Sequence, residues 1–415
     1  MTNSIVGMKK NIKENIGDIM KILVLNSGSS SLKYQLFDMA TKEVMAVGLV
    51  ERVGLENSVL SHEARGNKKE VVKDIANHRD ALRLVMNLLD DKEIGVISSM
   101  GDIEAVGHRV VHGGENFSSS ALITDDVYKA IEDCIPLAPL HNPANKDGID
   151  ACKELMPNIP QVAVFDTAFH QTMKPDAYLY AIPYKYYEKY GVRRYGFHGT
   201  SHKYVSTEGA KFIDADINNL KIITVHIGNG GSIAAIKNGK VVDTTMGFTP
   251  LEGLVMGTRC GDIDPAIVTF LESQEGLTAV ELDSILNKKS GVLGISGVSS
   301  DMRDIESAAD DGHERATIAL HVYLNRIVSY IGAYTALLGG VDLIVFTAGV
   351  GENSISTRKS VVDRLEYLGI KLDEVKNKVR GEARVISTDD SKSKVIIMPT
   401  NEELVIATDT YALAK

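Results

Sequence analysis

Two stretches of the chain, about 200 residues apart, repeat one arrangement of apolar and polar positions. In each, an apolar run enters a turn rich in Gly and Ser, and a second run follows. The turns are Asn26-Ser27-Gly28-Ser29-Ser30-Ser31, between 22–25 and 32–36, and Gly228-Asn229-Gly230-Gly231-Ser232, between 222–225 and 233–236. Both copies predict strand, turn, strand, and Asn238-Gly239 predicts another tight turn in the later copy.

After each repeat, the pattern predicts alternating helices and strands, which is an α/β organisation. Helices are expected at 72–90, 124–134, 144–155, 201–213 and 313–338, and strands at 103–111, 161–165, 343–346 and 395–398. Leu320, Leu324, Ile327, Ile331, Tyr334 and Leu338 form one apolar face of the longest helix, which Gly339-Gly340 should end. Pro139 and Pro143 are expected to bracket a rigid loop.

The two Gly/Ser turns have two interpretations. Most turns of this kind are plain hairpins, but they also present backbone N–H groups that can bind phosphate. Their duplication favours two related domains that face one polyphosphate. A chain of 415 residues is long enough for two domains.

Composition narrows the choice of partners and compartment. A net charge of −10 and a pI near 5.6 argue against nucleic acid as a partner. The three cysteines, Cys134, Cys152 and Cys260, have no metal-type spacing and fit a reducing cytoplasm. No apolar run reaches membrane-spanning length, so no membrane partner is expected. Residues 1–20 are interpreted as an N-terminal extension with no role in the fold.

Seven motifs together resemble the acetate kinase family. They are Asn26-x-Gly-Ser-Ser-Ser-x-Lys33, Gly107-His-Arg-Val-Val-His-Gly-Gly-Glu115, Phe165-Asp-Thr-Ala-Phe-His170, Arg194-Tyr-Gly-Phe-His-Gly-Thr-Ser-His202, Gly257-Thr-Arg-Cys-Gly-Asp262, Gly349-Val-Gly-Glu-Asn353 and Thr400-Asn-Glu-Glu403. The resemblance implies two ribonuclease-H-like domains of the actin-like ATPase fold, with a nucleotide cleft between them. It also implies a first domain of 21–166 plus 404–415, a nucleotide-binding second domain of 167–403, and a homodimer.

The implied reaction is ATP plus a short carboxylate giving ADP and an acyl phosphate. A carboxylate is already ionised at pH 7, so the reaction needs cations rather than a general base. Arg109 and Arg259 suit this need, and the resemblance implies that both hold the carboxylate and the γ-phosphoryl group. From the residues alone, structural ion pairs explain them equally well.

Three further residues carry open alternatives. His198 resembles the family's donor to a phosphoryl oxygen in the transition state, although a lone His is more often structural. His141 is a weaker candidate of the same kind. Asp166 could be a helix N-cap, a catalytic base, a residue that orients magnesium through water, or a partner of an arginine. The ionised substrate argues against the base.

The resemblance implies Mg²⁺, with Mn²⁺ as a substitute, held through Glu402 and Asn26, with Glu403 as the register alternative. Lys33 could reach a phosphate or point to solvent. The phosphates are assigned to His226, Ile227, Gly228, Asn229 and Gly230. The adenosine pocket is assigned to Asp301, Met302, Arg303, Gly349, Val350, Gly351, Glu352 and Asn353. The chain lacks a Walker A sequence, which agrees with a kinase of another class.

The family's acyl pocket is small and apolar, and it maps onto Val111, Leu140, Phe197 and Pro250. Propionate kinases tend to have a smaller side chain where Val111 stands, so acetate is the expected substrate, with propionate or butyrate as alternatives. The adenosine-pocket motifs argue against a relative that uses pyrophosphate. A non-enzymatic chaperone or filament protein of the same fold is a third hypothesis. It is disfavoured because no peptide-binding domain is predicted after residue 403, and because it has no use for Arg109 and Arg259.

Overall fold

The computed structural model describes residues 20–415, which form two α/β units that are each built on one sheet. The first unit contains β1 (Lys21–Gly28), β2 (Ser31–Asp38), β3 (Glu43–Glu51), β4 (Ser58–Ala64), β5 (Asn67–Lys73), β6 (Ile103–Val110), β7 (Ala121–Leu122) and β8 (Gln161–Phe165). These strands form one sheet in the order β5-β4-β3-β2-β1-β6-β8-β7.

The second sheet has the same central connectivity as the first. It contains β9 (Lys221–Ile227), β10 (Gly231–Lys237), β11 (Lys240–Thr244), β12 (Leu343–Thr347), β13 (Arg384–Val385) and β14 (Lys394–Ile397), in the order β11-β10-β9-β12-β14-β13. In both sheets, the first strand of an antiparallel meander pairs in parallel with a later strand, which pairs in parallel with the next. These strands are β1, β6 and β8 in the first sheet and β9, β12 and β14 in the second. The predicted duplication and the α/β fold are confirmed.

The helices cover both faces of each sheet. They are α1 (His78–Leu89), α2 (Asp125–Asp133), α3 (Asn142–Leu155), α4 (Pro175–Tyr178), α5 (Lys185–Tyr190), α6 (Gly199–Phe212), α7 (Ala266–Glu275), α8 (Ala279–Lys288), α9 (Gly291–Ser296), α10 (Met302–Asp310), α11 (Glu314–Leu338), α12 (Ala348–Asn353), α13 (Ile355–Asp363) and α14 (Glu402–Ala414). Helices α1 and α3 cover one face of the first sheet, and α11 and α6 cover opposite faces of the second.

Helix α14, at the end of the chain, packs on the first sheet. Ile406 and Ala407 lie in one apolar cluster with Ile22 of β1 and residues of β6 and β8. A Cβ at Gly107 of β6 would lie 2.4 Å from Oγ1 of Thr410, so this glycine lets the helix approach the strand closely. The packing agrees with the expected return of the last segment, while the domain boundaries themselves stay a prediction.

Several sequence predictions need correction. Residues 72–73, expected to start a helix, belong to β5. Pro143, expected in a loop, lies in the first turn of α3, where its missing N–H costs nothing. Met20, expected in the extension, is buried in the first unit, and the remainder of that extension lies outside the described residues.

None of the helices between residues 20 and 415 combines the length and the apolar character that a membrane span needs.

Candidate active site

The site lies where the two units meet, next to the ends of their central strands. Arg109 lies near the end of β6, and Asp166 directly follows β8. The backbone N–H of Asp166 donates to the carbonyl of Val110 at 3.0 Å, which extends the strand pairing to this residue. From the other unit, the N–H of Gly199 at the start of α6 donates to the Asp166 carbonyl at 2.9 Å.

Arg109 and Asp166 form a bidentate ion pair. Nε of Arg109 donates to Oδ1 of Asp166 at 3.1 Å and Nη2 donates to Oδ2 at 2.6 Å, while Nη1 is 3.4 Å from Oδ1 of Asn26. The Asp166 charge, with smaller contributions from Glu402 and Glu403, raises the pKa of Arg109 above its usual range. Of the alternatives for Asp166, the geometry therefore favours the partner of an arginine.

Arg259 has a different environment. Its Nη1 donates to the carbonyl of Pro250 at 2.7 Å, and no carboxylate within residues 20–415 pairs with it. Burial lowers its pKa. A Cβ at Gly230 would lie 2.6 Å from Nη2 of Arg259, so the glycine is what allows the guanidinium to lie on the second Gly-rich turn. A partly buried cation without a carboxylate partner is suited to bind an anion.

His198 lies beside the same turn. It has a left-handed backbone conformation, with a φ of 57°, and its ring stacks on that of His226 with 4.2 Å between centroids. Burial is the main cause that lowers both pKa values, that of His226 to about 4, so both rings are neutral at pH 7. Nδ1 of His226 is hydrogen-bonded to Oγ of Ser201 at 2.8 Å. His198 can therefore act as a neutral hydrogen-bond donor.

His141, the weaker candidate, belongs to the same electrostatic environment. Partial desolvation lowers its pKa, and Arg109 and Arg259 lower it further.

A small apolar cluster joins the two units next to the arginines. It contains Val111 and Phe197, as predicted, together with Ala138, Met246 and Met256, which the sequence did not indicate. Pro250 contributes its carbonyl to Arg259. Leu140 is 56% exposed and lies outside the cluster.

The predicted metal ligands lie beside the Arg109–Asp166 pair. Burial raises the pKa of Glu402 to about 7; the charge of Arg109 opposes this rise, and the charges of Asp166 and Glu403 add to it. Lys33 forms an ion pair with Glu403 and its side chain is 46% exposed, and its contact with a phosphate stays a prediction. Glu403 thus forms an ion pair, whereas Glu402 forms none within residues 20–415 and interacts with Arg109 only at longer range. In that part of the chain, no three His, Cys, Asp or Glu side chains cluster as metal ligands.

A cleft of about 880 Å³ opens from the second Gly-rich turn. Eight predicted nucleotide-binding residues line it: Gly228, Asn229, Asp301, Met302, Arg303, Gly349, Val350 and Asn353. Seven other lining residues were not predicted: Ser300, Glu306, Ser354, Ile355, Ser356, Lys359 and Arg380. Ser300 precedes Asp301 and Ser354 follows Asn353, so both adjoin the motifs, and Glu306 lies on α10 together with Met302. The remaining four residues lie further along the chain from the motifs.

Three residues assigned to the nucleotide have structural contacts instead of lining the cleft. Ile227 and Gly351 are buried and pack against each other, with Ile227 Cγ1 3.3 Å from the Cβ position of Gly351. Oε1 of Glu352 accepts from the backbone N–H of Ala348 at 2.8 Å and of Thr400 at 3.2 Å. Glu352 therefore connects the residues after β12 with the segment after β14 through hydrogen bonds.

These features define the class of the protein. A duplicated ribonuclease-H-like sheet, a cleft at its Gly-rich turn and a partly buried arginine without a carboxylate partner are the features of a kinase of the two-domain actin-like ATPase fold. The chain belongs to the acetokinase family, whose model matches residues 21–408.

Relatives and solved structures agree with this family. An acetate kinase of Halothermothrix orenii is 61% identical over 397 residues, which are 95% of this chain and 100% of that protein. The crystal structure of Porphyromonas gingivalis acetate kinase is 53% identical with a TM-score of 0.92, and covers 95% of this chain and 100% of that chain. A propionate kinase structure from Francisella tularensis is 41% identical with a TM-score of 0.88, over 95% of this chain and 100% of that chain.

Proposed function

We propose that this protein is an acetate kinase, which reversibly transfers the γ-phosphoryl group of ATP to acetate and forms acetyl phosphate and ADP. The observation that carries the proposal is the position of Arg259. It has no carboxylate partner within residues 20–415, and it lies on the phosphate turn beside the apolar cluster of Val111 and Phe197. Arg259 can therefore bind the carboxylate group of a short carboxylic acid, and the apolar cluster beside it can accommodate the alkyl group.

The chemistry follows from the charges of the reactants. An acetate oxygen attacks the γ-phosphorus directly and in line, a new O–P bond forms, and the bond between the γ-phosphorus and the bridging β–γ oxygen breaks. Both reactants are anions, so Arg109 and Arg259 lower the repulsion between them and stabilise the spread charge. No proton has to be removed from acetate, which agrees with an Asp166 that is engaged by Arg109.

His198 donates a hydrogen bond to an equatorial oxygen of the transferred group. Its lowered pKa keeps it neutral, so it stabilises the transition state through one N–H rather than through a full charge. The second Gly-rich turn, Gly228 to Gly230, binds the phosphates, and the cleft beyond it takes the adenosine. His226 supports the ring of His198 by stacking.

The donor set at Glu402 suits Mg²⁺, or Mn²⁺ in its place. Glu402 forms no ion pair within residues 20–415, burial raises its pKa, and amide and carboxylate oxygens are the ligands that Mg²⁺ prefers. Glu402 and Asn26 would hold the ion, directly or through its waters. When bound, the ion neutralises phosphate charge. Lys33 neutralises Glu403, which favours Glu402 in the choice between the two.

We also propose a cytoplasmic homodimer. Helix α7 has no buried residue, and its Phe270 is 62% exposed, while α11 exposes Ile318 and Leu337. These exposed apolar side chains on α7 and α11 support a surface that a second copy covers. Sedimentation equilibrium should give twice the mass of the chain, and a monomer at micromolar concentration would contradict the dimer.

The experiment that tests the function is trapping of the acyl phosphate with hydroxylamine. With ATP and Mg²⁺, acetate should give the hydroxamate fastest, propionate more slowly, and acetate with pyrophosphate none. Arg259→Ala should lower the rate by about 10²-fold or more while ATP binding stays within a few-fold. Arg315→Ala is the matched control, because that guanidinium donates to the backbone carbonyls of Ile295 and Gly294. ATP binding without any hydroxamate would contradict the proposal.

A further inference from the structure

We propose that a hydrogen-bonded chain of buried side chains, from Thr224 through His202 and Ser232, fixes which nitrogen of His198 carries the proton. The chain leaves Nδ1 of His198 as an acceptor and Nε2 as the donor that faces the phosphoryl group. This inference rests on the proposed function for the meaning of that donor, but the protonation state itself is independent of catalysis. Thr224, His202 and Ser232 are positioning residues in this account, because they act through His198.

Three contacts of nearly equal length form the chain. Nδ1 of His198 lies 2.9 Å from Oγ of Ser232, and Oγ of Ser232 lies 2.7 Å from Nε2 of His202. Nδ1 of His202 lies 2.7 Å from Oγ1 of Thr224. Thr224, His202 and Ser232 are all fully buried, so water does not compete for these contacts.

Secondary structure sets this geometry. His198 and His202 lie one turn apart at the start of α6, and the His202 N–H donates to the His198 carbonyl at 2.9 Å. The two rings therefore share one face of the helix. Thr224 on β9 and Ser232 on β10 belong to antiparallel neighbouring strands, and Ser232 pairs with His226, two residues after Thr224. The strand pair thus presents two hydroxyls to two imidazoles.

Each imidazole in the chain is neutral. Burial is the main cause that lowers the pKa values of His198 and His202 well below the usual range. A neutral imidazole has one N–H and one lone pair, so each ring must donate at one nitrogen and accept at the other. The hydrogen bonds from Thr224 to His198 can consequently be donated in only two directions along the chain of side chains.

Thr224 decides between the two directions. Its Oγ1 has no hydrogen-bond partner within residues 20–415 other than His202. If Nδ1 of His202 donated to Thr224, the buried hydroxyl proton would have no acceptor, which is costly. The proton of Thr224 must therefore go to Nδ1 of His202, Nε2–H of His202 to Ser232, and the Ser232 hydroxyl to Nδ1 of His198.

The remaining N–H of His198 points toward the reacting group. Stacking on His226 holds the ring plane, and Cε1 of His198 lies 3.7 Å from the Cβ position of Gly230 in the phosphate turn. Nε2 is bonded to Cε1, and it has no partner within residues 20–415. With the chain reversed, this nitrogen would present a lone pair to phosphoryl oxygens and would repel them.

The test combines the nitrogen NMR spectrum of histidine-labelled protein with kinetics of three variants. In the wild type, Nδ1 of His198 should have the nitrogen chemical shift of an unprotonated nitrogen, and Nε2 should have that of a protonated nitrogen. Thr224→Val removes the hydroxyl that directs the chain, so His198 should become a mixture of both forms. The kcat should fall by about 10- to 100-fold, while the KM values for ATP and acetate stay within about threefold.

Thr224→Ser is the matched control, because it retains the hydroxyl, and it should restore both the spectrum and the kcat. Ser232→Ala cuts the chain beside His198 and should reproduce the Thr224→Val spectrum even if one of the variants is less stable. A wild-type His198 with the proton on Nδ1 would overturn the inference, and so would a Thr224→Val protein with unchanged spectrum and kcat. A protein that has the expected spectrum but forms no acyl phosphate would contradict the proposed function alone.

Discussion

Arg109 engages both carboxylate oxygens of Asp166, at 3.1 and 2.6 Å, so the two residues act as one unit. The Asp166 side chain is only 2% exposed, whereas that of Arg109 is 24% exposed. The carboxylate is therefore the buried support, and the guanidinium is the part that faces the site. This division favours a role for Asp166 in orienting the Arg109 guanidinium over a role in removing a proton.

The substitution Asp166→Asn tests that division. The amide would keep the size of the side chain but would lose the charge and one acceptor, so Arg109 should shift. We expect kcat to fall by about 10²-fold because the cation is misplaced. The pH profile of kcat decides the role: a wild-type acid limb that disappears in Asp166→Asn would identify a base and contradict this account.

Val111 should set the preference for acetate. It lies in the apolar cluster with Phe197, and Val111→Ala would remove two methyl groups and so make room for the additional methylene group of propionate. The kcat/KM for propionate relative to acetate should rise by about 10-fold or more, because a methylene in an apolar pocket is worth about 1–3 kcal/mol. Val345→Ala, in the core of the second sheet, is the control and should leave the ratio unchanged. An unchanged ratio in Val111→Ala would place the acyl group elsewhere.

Glu402 and Glu403 differ in their partners, and this difference predicts their response to metal. Glu402→Gln should raise the Mg²⁺ concentration for half-maximal rate by about 10-fold or more. Glu403→Gln, which frees Lys33, should have a smaller effect. Rates measured across a Mg²⁺ titration, at saturating ATP, compare the two variants. A larger increase in the Mg²⁺ requirement of Glu403→Gln than of Glu402→Gln would support Glu403 as the residue associated with the metal.

The buried histidines should make the protein acid-sensitive. Burial lowers the folded-state pKa of His170 and His226 to about 4, below the usual value of 6.5. The unfolded chain binds these protons first, so stability is full above pH 6.5 and is lost as the pH falls toward 4. Each group contributes up to about 3 kcal/mol to this loss.

Urea unfolding at several pH values measures this effect. The midpoint of His170→Gln should fall less between pH 6.5 and 4 than that of the wild type. His321→Gln, at an exposed position of α11, should follow the wild type. Equal slopes in all three proteins would mean that His170 titrates normally.

Local patterns explain which parts of the fold could be predicted from the sequence. The meanders at β1–β3 and β9–β11 were visible because alternation and Gly-rich turns are local signals. Strand β5 was not, because six of its seven residues are exposed and it has no buried face. The packing of α14 depends on the fit between Gly107 and Thr410, which are 303 positions apart in the chain.

The residues of the site also differ in whether the sequence could indicate them. Arg109, Asp166 and Arg259 could be singled out because their motifs combine charge with Gly-rich or strand-end positions. Ser232 and Thr224 could not, because a hydroxyl on a strand has no distinctive pattern until the fold places it against His202. The assignment of Leu140 to the wall of the acyl pocket stays a prediction, since its side chain is 56% exposed and lies outside the apolar cluster.

The stereochemistry of phosphoryl transfer tests the central claim most directly. ATP with a γ-phosphoryl group that is chiral through oxygen isotopes would be converted with acetate and Mg²⁺, and the acetyl phosphate analysed. Direct attack by acetate, held by Arg109 and Arg259, predicts inversion at phosphorus. Retention would require a phosphorylated side chain as an intermediate and would contradict the account, as would the absence of acetyl phosphate.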